Sequence, residues 1–339
     1  MLRFDERILI GERNPTVVLP HSSSEELRLL VKVSRFYYED GLNQDAIRVR
    51  LGLSRSKVSR LMAQARAQGI VQINVVVPEQ LYLDVERRLQ ERFGLDEALV
   101  VEARSGDSQD LVSRTIGSVA AGYLTRAIGP RSTVGFCWGS TLRYMEAALS
   151  PQRLPGAQVV QIIGGLGHPD AEVHATELCR GVSRALGCRL TLLPVPGIVA
   201  DQHTREVLLD DVHVRRAFDA FDDLDIAFVG VGAPTPDSMT MRDGSIISQA
   251  ELDGLLRRGA VGDIALRYYD ARGQGIKSDI DRRIIGITLE QLKQVPKVVG
   301  VSGGPDKLAA LQAALKGGLI DVLITDSITA DKLLEGAHG

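Results

Sequence analysis

The chain has few aromatic residues, few cysteines and no long apolar run. Phe, Trp and Tyr make up 4% of its 339 residues, which argues against a stacking platform for single-stranded nucleic acid. Its cysteines, Cys137, Cys179 and Cys188, are odd in number and lack metal-type spacing, so we expect free thiols in a reducing cytosol. No stretch approaches the length of a membrane span, and the N-terminus lacks the apolar core of a secretory signal. We therefore expect a cytoplasmic protein without a membrane partner.

Motifs typical of cofactor, metal and catalytic sites are also missing. Gly164-Gly165 and Gly230-Val-Gly232 follow apolar stretches, but neither has the full Gly-x-Gly-x-x-Gly pattern of a dinucleotide site. Residues 168–174 contain two His, one Asp and one Glu, at spacings that fit no His-Glu-x-x-His helix pair. A Ser/His/Asp or Cys/His arrangement cannot be proposed from the sequence without assuming how the fold packs. We expect no metal, no cofactor and no catalysis.

One segment differs from the rest of the chain in charge. Residues 43–73 carry six Arg or Lys and one acid, a net charge of +5, whereas the whole chain is −3 and the remainder therefore −8. A basic island on an acidic chain is typical of a surface that binds phosphate backbones. Two short helical patterns meet in this island at Gly52, the tight turn that a helix-turn-helix needs. The alternative is a solvated helix hairpin whose arginines only keep it soluble.

The second helix of this motif has the pattern of a recognition helix. Ser54 can cap it by accepting a backbone N–H bond. Val58, Leu61 and Ala65 lie at i, i+3 and i+7, which predicts one buried face. The basic and polar side chains near its start project elsewhere, and that half of a recognition helix reaches base edges in the major groove. The predicted residues that contact double-stranded operator DNA are Ser54, Arg55, Ser56, Lys57, Ser59 and Arg60.

Periodicity divides the chain into four segments. We predict a flexible tail over 1–22, a winged-helix-like helix-turn-helix domain over 23–78, a linker helix over 79–96 and a larger domain over 97–339. In the second segment the buried face of a first helix is formed by Leu27, Leu30, Val31 and Ser34, and the β-rich run 70–77 forms either a wing or a strand packed on the helices. The apolar face of the linker helix contains Leu81, Val85, Leu89 and Phe93, and this helix forms either a dimer seam or a contact with its own domain.

Beyond residue 97, short apolar runs alternate with amphipathic stretches such as 109–127, 171–186 and 305–316. This alternation, with glycine-rich strand ends, predicts an α/β domain with a mostly parallel sheet. The predicted strands are Ala98–Val101, Thr133–Cys137, Val159–Ile163, Arg189–Leu193, Ile226–Val231, Val298–Val301 and Leu319–Thr325.

Two strand-to-helix turns have the composition of an anion site. Gly139 permits close approach to the backbone, and Ser140 and Thr141 add hydroxyls beside free helix N–H groups; ordinary capping by either hydroxyl is the alternative. The second turn, Gly303-Gly304-Pro305, places Lys307 in a first helical turn, where the helix dipole disfavours a cation and a bound phosphate would reverse that cost. The alternative is a lysine that is exposed or paired with Asp306.

The run 259–264 places Asp263 between apolar neighbours. A buried carboxylate needs partners, and sugar hydroxyls are natural donors to it. A backbone or salt-bridge partner inside the protein is the alternative.

Several motifs together resemble the SorC family of bacterial sugar-responsive transcriptional regulators, over about residues 24–336. They are Leu-Gly-Leu-Ser-Arg-Ser-Lys-Val-Ser-Arg-Leu at 51–61, Gly-Ile-Val at 69–71, Val-Gly-Phe-Cys-Trp-Gly-Ser-Thr at 134–141, Gly-Ala-Val-Gly-Asp-Ile at 259–264, Ser-Gly-Gly-Pro-Asp-Lys at 302–307 and Leu-Ile-Thr-Asp at 323–326. The resemblance implies an N-terminal helix-turn-helix and an α/β effector domain similar to sugar-phosphate isomerases and deaminases. It also implies a phosphorylated sugar as effector and a homodimer or homotetramer.

The resemblance assigns roles to particular residues. The phosphate would be held by Gly139, Ser140, Thr141 and Lys307, and sugar hydroxyls by Asp263. The permissive strand ends complete the expected effector site: Gly164, Gly165, Gly230 and Gly232.

We therefore expect a regulator of a carbohydrate operon rather than an enzyme. A sugar-phosphate isomerase or deaminase with a DNA-binding appendage is the first alternative, and a dinucleotide-binding redox repressor is the second.

Overall fold

The computed structural model describes residues 24–71, 81–165, 175–235 and 247–336. Contacts divide the chain into two compact units, Met1–Val76 and Val77–Gly339. The predicted tail, most of the predicted wing and the His/Asp/Glu run at 168–174 lie outside the described residues. No helix among the described residues is both long enough and apolar enough to cross a membrane.

The first unit contains three helices, α1 (Ser24–Tyr38), α2 (Gln44–Leu51) and α3 (Arg55–Ala67). Asn43 caps α2 by accepting the N–H of Ala46 at 2.8 Å. Gly52 ends it with φ +63°, a left-handed conformation that glycine adopts without strain. The turn predicted at this glycine is therefore present, and it orients α3 relative to α2.

A small apolar core holds these helices together. It contains Leu30, Val33, Ile47, Val58, Leu61, Met62 and Ala65, all nearly inaccessible to solvent. The burial of Val58, Leu61 and Ala65 confirms the predicted inner face of α3. The prediction for α1 was wrong at Val31, which is 39% exposed. Because each helical residue turns by about 100°, the inner face formed by Leu30, Val33 and Ser34 leaves Val31 outside.

The second unit begins, in its described part, with α4 (Leu83–Phe93), which packs on a strand and on the last helix of the same unit. Leu89 is buried and Val85 and Phe93 are partly buried, as predicted, but Leu81 is 52% exposed because it precedes the helix. The helix thus contacts its own α/β unit, one of the two alternatives for it.

A seven-stranded sheet forms the centre of this unit, in the order β1-β9-β8-β5-β2-β3-β4, and every neighbouring pair is parallel. Its strands are β1 (Glu97–Val101), β2 (Thr133–Phe136), β3 (Gln158–Gln161), β4 (Arg189–Thr191), β5 (Ile226–Val229), β8 (Val298–Val301) and β9 (Val322–Asp326). All seven predicted strands are present, and together they confirm a mostly parallel α/β fold.

The helices that follow and cover the sheet are α5 (Gln109–Ala127), α6 (Ser140–Ala147), α7 (Ala175–Leu186), α8 (Gln202–Leu209), α9 (Val212–Asp219), α10 (Gln249–Arg257), α11 (Leu289–Leu292), α12 (Leu308–Lys316) and α13 (Ser327–Glu335). A 3-10 turn, Pro305–Lys307, leads into α12. The predicted helical stretches 109–127, 171–186 and 305–316 correspond to α5, to α7 and to this turn with α12.

A hairpin of β6 (Gly262–Ile264) and β7 (Arg267–Tyr269) had no strong sequence signal. Its two-residue turn consists of Ala265 and Leu266, both with positive φ, at 51° and 63°. Such turns usually contain Asn or Gly, and their absence explains why the hairpin was not predicted.

Candidate functional site

The order in which the chain adds strands to the sheet reverses between β2 and β5, which are parallel neighbours at its centre. From β2 the chain continues outward to β3 and β4, whereas β5 is followed on its other side by β8 and β9. In open parallel sheets, ligands bind beyond the carboxyl ends of the strands at this kind of switch point. The turns after β2, β5 and β8 meet there, and they contain most of the predicted effector residues.

The start of α6 offers a row of unused backbone donors after β2. The backbone N–H groups of residues 139–142 make no hydrogen bond to any described residue, and the helix proper begins when the N–H of Arg143 donates to the carbonyl of Gly139. Neither Ser140 nor Thr141 provides a side-chain cap, so capping does not account for these hydroxyls. A Cβ on Gly139 would meet nothing within 4 Å. The open space and free N–H groups suit an anion.

A close helix contact supports this start of α6. Gly117 in the middle of α5 packs so tightly that a Cβ there would come within 2.7 Å of the Met145 N atom and 2.8 Å of the Thr141 carbonyl oxygen. Only glycine permits such a backbone approach. The position of the free N–H groups is therefore determined by packing on α5.

Asp263 is anchored beside the end of β5. Its backbone pairs with Gly232 in both directions, at 2.9 and 3.1 Å, and its Oδ2 accepts the N–H of Leu266 at 3.2 Å. A Cβ at position 232 would lie 2.0 Å from Oδ1 of Asp263. The Asp263 carboxylate therefore packs directly on Gly232, where no side chain would fit. The Gly232 N–H already donates to the Asp263 carbonyl.

Electrostatics connect Asp263 with Lys307. Burial raises the pKa of Asp263 to about 6, and the nearby Lys307 opposes that shift. Burial also lowers the pKa of Lys307, against the pull of Asp263 and Asp306. The Lys307 ammonium makes no hydrogen bond or ion pair with any described residue, so neither the exposed nor the Asp306-paired alternative describes it. A buried carboxylate and a half-buried amine near each other, without direct pairing, leave polar capacity for a ligand.

The Asp263 carboxylate also affects the pKa of two neighbouring groups. Burial raises the pKa of the Cys137 thiol to about 12, and Asp263 adds to that shift. Burial also raises the pKa of the Tyr269 hydroxyl, again with a contribution from Asp263. Both groups are therefore neutral near pH 7, and Cys137 is no reactive thiolate.

The Gly303-Gly304 turn is held by residues that the sequence analysis did not single out. The N–H of Gly304 donates to Asp326 Oδ2 at 2.8 Å and to Thr329 Oγ1 at 2.9 Å. Gln109 Nε2 donates to the Gly303 carbonyl at 3.0 Å. Asp326 also caps α13 through the N–H of Thr329. Its position after a strand and before a helix was a capping signal, but its contact with the turn that carries Lys307 depends on the fold.

The remaining predicted glycines already use their backbone N–H groups. The N–H of Gly164 donates to the Ile285 carbonyl, that of Gly165 to the Val195 carbonyl, and that of Gly230 to Cys137 Sγ. A Cβ on Gly164 would lie 2.5 Å from the Val195 carbonyl oxygen. These residues shape the strand ends, and the free donors are at 139–142.

The described residues contain no group of three or more His, Cys, Asp or Glu that could hold a metal ion. Two surface clefts of about 440 and 560 Å³ lie elsewhere, one beside β4 and α9 and one between α10 and residues 278–283. Neither cleft is lined by residues 139–142, Asp263 or Lys307. The candidate site is therefore defined by its hydrogen-bond donors and charges and not by the size of a cleft.

In the first unit, the predicted DNA-contacting residues share one exposed surface. Ser54 caps α3 by accepting the N–H of Lys57 at 3.2 Å, and its hydroxyl lies 3.1 Å from that of Ser56. All six predicted residues are exposed: Ser54, Arg55, Ser56, Lys57, Ser59 and Arg60.

The basic residues of this unit fall into two groups. Arg48 pairs with Asp45 at 3.1 Å, and the guanidinium of Arg50 lies 4.5 Å from the centre of the Phe36 ring. By contrast, Arg55, Lys57 and Arg60 have no ion pair with any described residue. These cations of α3 are thus available to an external phosphate.

Comparisons with known proteins agree with this architecture. Residues 78–335 match the family model described as a putative sugar-binding domain. The sorbitol operon regulator of Klebsiella pneumoniae is 31% identical over 92% of this chain and 99% of its own length. The deoxyribonucleoside regulator of Bacillus subtilis is 30% identical over 91% of this chain and 98% of its own.

A solved structure extends the similarity to three dimensions. The crystal structure of the full-length sorbitol operon regulator SorC from Klebsiella pneumoniae superposes with a TM-score of 0.70 at 30% identity, covering 93% of this chain and all of that one. The chain therefore belongs to the SorC family of sugar-binding transcriptional regulators.

Proposed function

We propose that this member of the family regulates a carbohydrate operon by binding double-stranded operator DNA under the control of a phosphorylated sugar. The DNA contacts come from Arg55, Lys57 and Arg60, with Ser54, Ser56 and Ser59 beside them. In this proposal the DNA-binding domain spans 23–78, a connecting helix 79–96 and the effector domain 97–339. Because operator DNA lies in the bacterial cytoplasm, the chain works there.

The observation that carries the proposal is the set of free donors at the switch point. The unused N–H groups of residues 139–142 and the unpaired ammonium of Lys307 provide donors and positive charge, which is what a phosphate group requires. Ser140 and Thr141 add hydroxyls that cap nothing. We place the phosphate on this set.

The sugar part of the ligand is assigned to Asp263. Its carboxylate accepts one backbone N–H from the described residues and has further lone pairs for hydroxyl donors. Gly164, Gly165, Gly230 and Gly232 border this space as compact strand ends. The proposal requires no metal and no cofactor.

Regulation requires that the sugar phosphate bind two arrangements of the protein with different affinity, since equal affinity shifts no equilibrium. A coupling free energy of about 1–3 kcal/mol is typical of such systems. We propose a homodimer or homotetramer as the working form, because paired recognition helices match paired half-sites on DNA.

The experiment is a thermal-shift screen of pentose and hexose monophosphates and their unphosphorylated parents, followed by gel shifts on the promoter of the gene itself. A phosphorylated sugar should raise the melting temperature and change the affinity for the promoter, while its parent sugar does neither. If no phosphorylated sugar stabilises the protein, or if the stabilising one leaves promoter binding unchanged, the proposal is wrong.

One observation favours a second candidate, a sugar-phosphate isomerase or deaminase with a DNA-binding appendage. Asp263 and Lys307 have pKa values shifted toward neutrality from opposite sides, as acid–base catalysis requires. Incubating the purified protein with the stabilising sugar phosphate and following product by NMR decides the matter. Turnover that disappears in Asp263→Asn would establish the enzyme, whereas unchanged substrate supports the regulator.

A further inference from the structure

Trp138, the only tryptophan of the chain, has a buried indole N–H without a hydrogen-bond partner. Among the described residues, three buried side-chain atoms lack a partner: Gln68 Oε1, Trp138 Nε1 and Thr325 Oγ1. Native structures contain few such groups, and each calls for an explanation, such as a ligand.

The indole differs from the other two in chemistry. The oxygen and nitrogen of the Gln68 amide can exchange places, and the hydroxyl hydrogen of Thr325 can rotate. The Trp138 Nε1–H belongs to a rigid ring and can only donate. Only an acceptor brought to it can satisfy this group.

Trp138 also occupies a distinctive position in the chain. It lies between β2 and α6 and immediately precedes the residues whose backbone N–H groups are free, 139–142. Its own carbonyl accepts the Cys137 thiol at 3.5 Å, and a Cβ on Gly230 would lie 3.8 Å from that carbonyl oxygen. The residue thus belongs to the switch point, and the next residues along the chain present unused backbone N–H donors.

We infer that the indole N–H of Trp138 donates a hydrogen bond to an oxygen of the same effector phosphate that the backbone N–H groups of 139–142 would bind. The inference rests on the proposed function and adds a residue to its site. A phosphate carries several acceptor oxygens on one phosphorus atom. It could therefore accept hydrogen bonds from the indole and from the backbone N–H groups of 139–142 together. Trp138 is then a binding residue, and its indole N–H lacks an acceptor only when no effector is bound.

The single indole provides a direct readout, because uniformly ¹⁵N-labelled full-length protein has one indole N–H resonance. Inorganic phosphate, and then each phosphorylated sugar that stabilises the protein, should shift this resonance saturably and slow its exchange with solvent. The unphosphorylated parent sugars should leave it unchanged. The shift should follow the same concentration dependence as the gain in melting temperature.

The variant Trp138→Phe keeps an aromatic ring and removes the donor. We expect its dissociation constant for the stabilising sugar phosphate to rise about tenfold or more, as for hydrogen bonds to charged groups. The matched control is Tyr123→Phe, which removes a hydroxyl from a buried ring of α5; the pKa of that hydroxyl is raised by burial and by Glu97, the first residue of the edge strand β1. Its dissociation constant should not change.

These experiments distinguish a failure of the role given to Trp138 from a failure of the proposed function. If a sugar phosphate stabilises the protein while the indole resonance stays in place, or if Trp138→Phe binds it as tightly as the wild type, Trp138 is not a donor and the proposed function survives. If neither phosphate nor any phosphorylated sugar stabilises the protein, the proposed function fails and this inference fails with it.

Discussion

The carboxylate of Asp263 rests directly on Gly232: a Cβ at position 232 would lie 2.0 Å from Oδ1, and the two backbones exchange hydrogen bonds at 2.9 and 3.1 Å. The pair connects the hairpin β6–β7 to the end of β5. It holds a buried charge at the centre of the sheet, where the proposed sugar site lies.

Gly232→Ala should therefore displace the carboxylate and weaken effector binding about tenfold or more, because misplacing a charged hydrogen bond costs roughly 1.5–3 kcal/mol. Isothermal titration with the stabilising sugar phosphate measures the effect. Gly122→Ala is the matched control, since a Cβ on this exposed glycine of α5 meets nothing within 4 Å. Equal affinities of the two variants would contradict the role given to Gly232.

Lys307→Met should leave DNA binding intact and abolish the response to the sugar phosphate, because the methionine keeps the length of the side chain and loses the cation. Gel shifts on the promoter with and without the sugar phosphate provide the measurement. The exposed Lys316, at the end of α12, supplies the control variant Lys316→Met, which should respond as the wild type does. A normal response of Lys307→Met would remove this lysine from the phosphate site.

Asp263 should make stability depend on pH in a defined window. Burial raises its pKa to about 6 from 3.8, so the folded state binds this proton more tightly than the unfolded state does. The free energy of unfolding should fall as pH rises from about 4 to about 6, leaving a penalty of about 3 kcal/mol above that window.

Asp263→Asn lacks this titration and should be more stable than the wild type at pH 7, while its affinity for the sugar phosphate falls. Urea unfolding at a series of pH values tests the expectation, with Asp306→Asn as a variant of an exposed carboxylate. A wild type and an Asp263→Asn variant with parallel pH profiles would show that the aspartate is not buried as a charge.

Arg55→Ala and Arg60→Ala should each weaken promoter binding, by about 1–3 kcal/mol for a base contact and by less for a phosphate contact. Loss of a phosphate contact should also reduce the dependence of affinity on salt, by about one unit of slope per contact removed. Fluorescence anisotropy at several salt concentrations separates the two roles. Arg35→Ala, which removes an exposed arginine paired with Glu39 at 2.7 Å, should bind as the wild type does.

Much of the fold could be predicted because buried strands and helices have characteristic local patterns of apolar residues in the sequence. Strands covered on both faces appear as continuous apolar runs, and the helix over 109–127 shows its capping serine, Ser108, and its periodicity. The β6–β7 hairpin has no such pattern, because its turn residues, Ala265 and Leu266, adopt positive φ although neither is Gly or Asn.

The sequence by itself determined the basic helix α3, the parallel sheet and the residue types at its strand ends, because each depends on neighbours within a few positions. Only the tertiary structure decided which of those strand-end groups are free. The N–H groups of Gly164, Gly230 and Gly232 donate to other groups of the protein, whereas those of 139–142 and the indole of Trp138 have no acceptor among the residues that the structure describes. Whether a donor is free depends on acceptors contributed by distant segments, and local sequence holds no information about them.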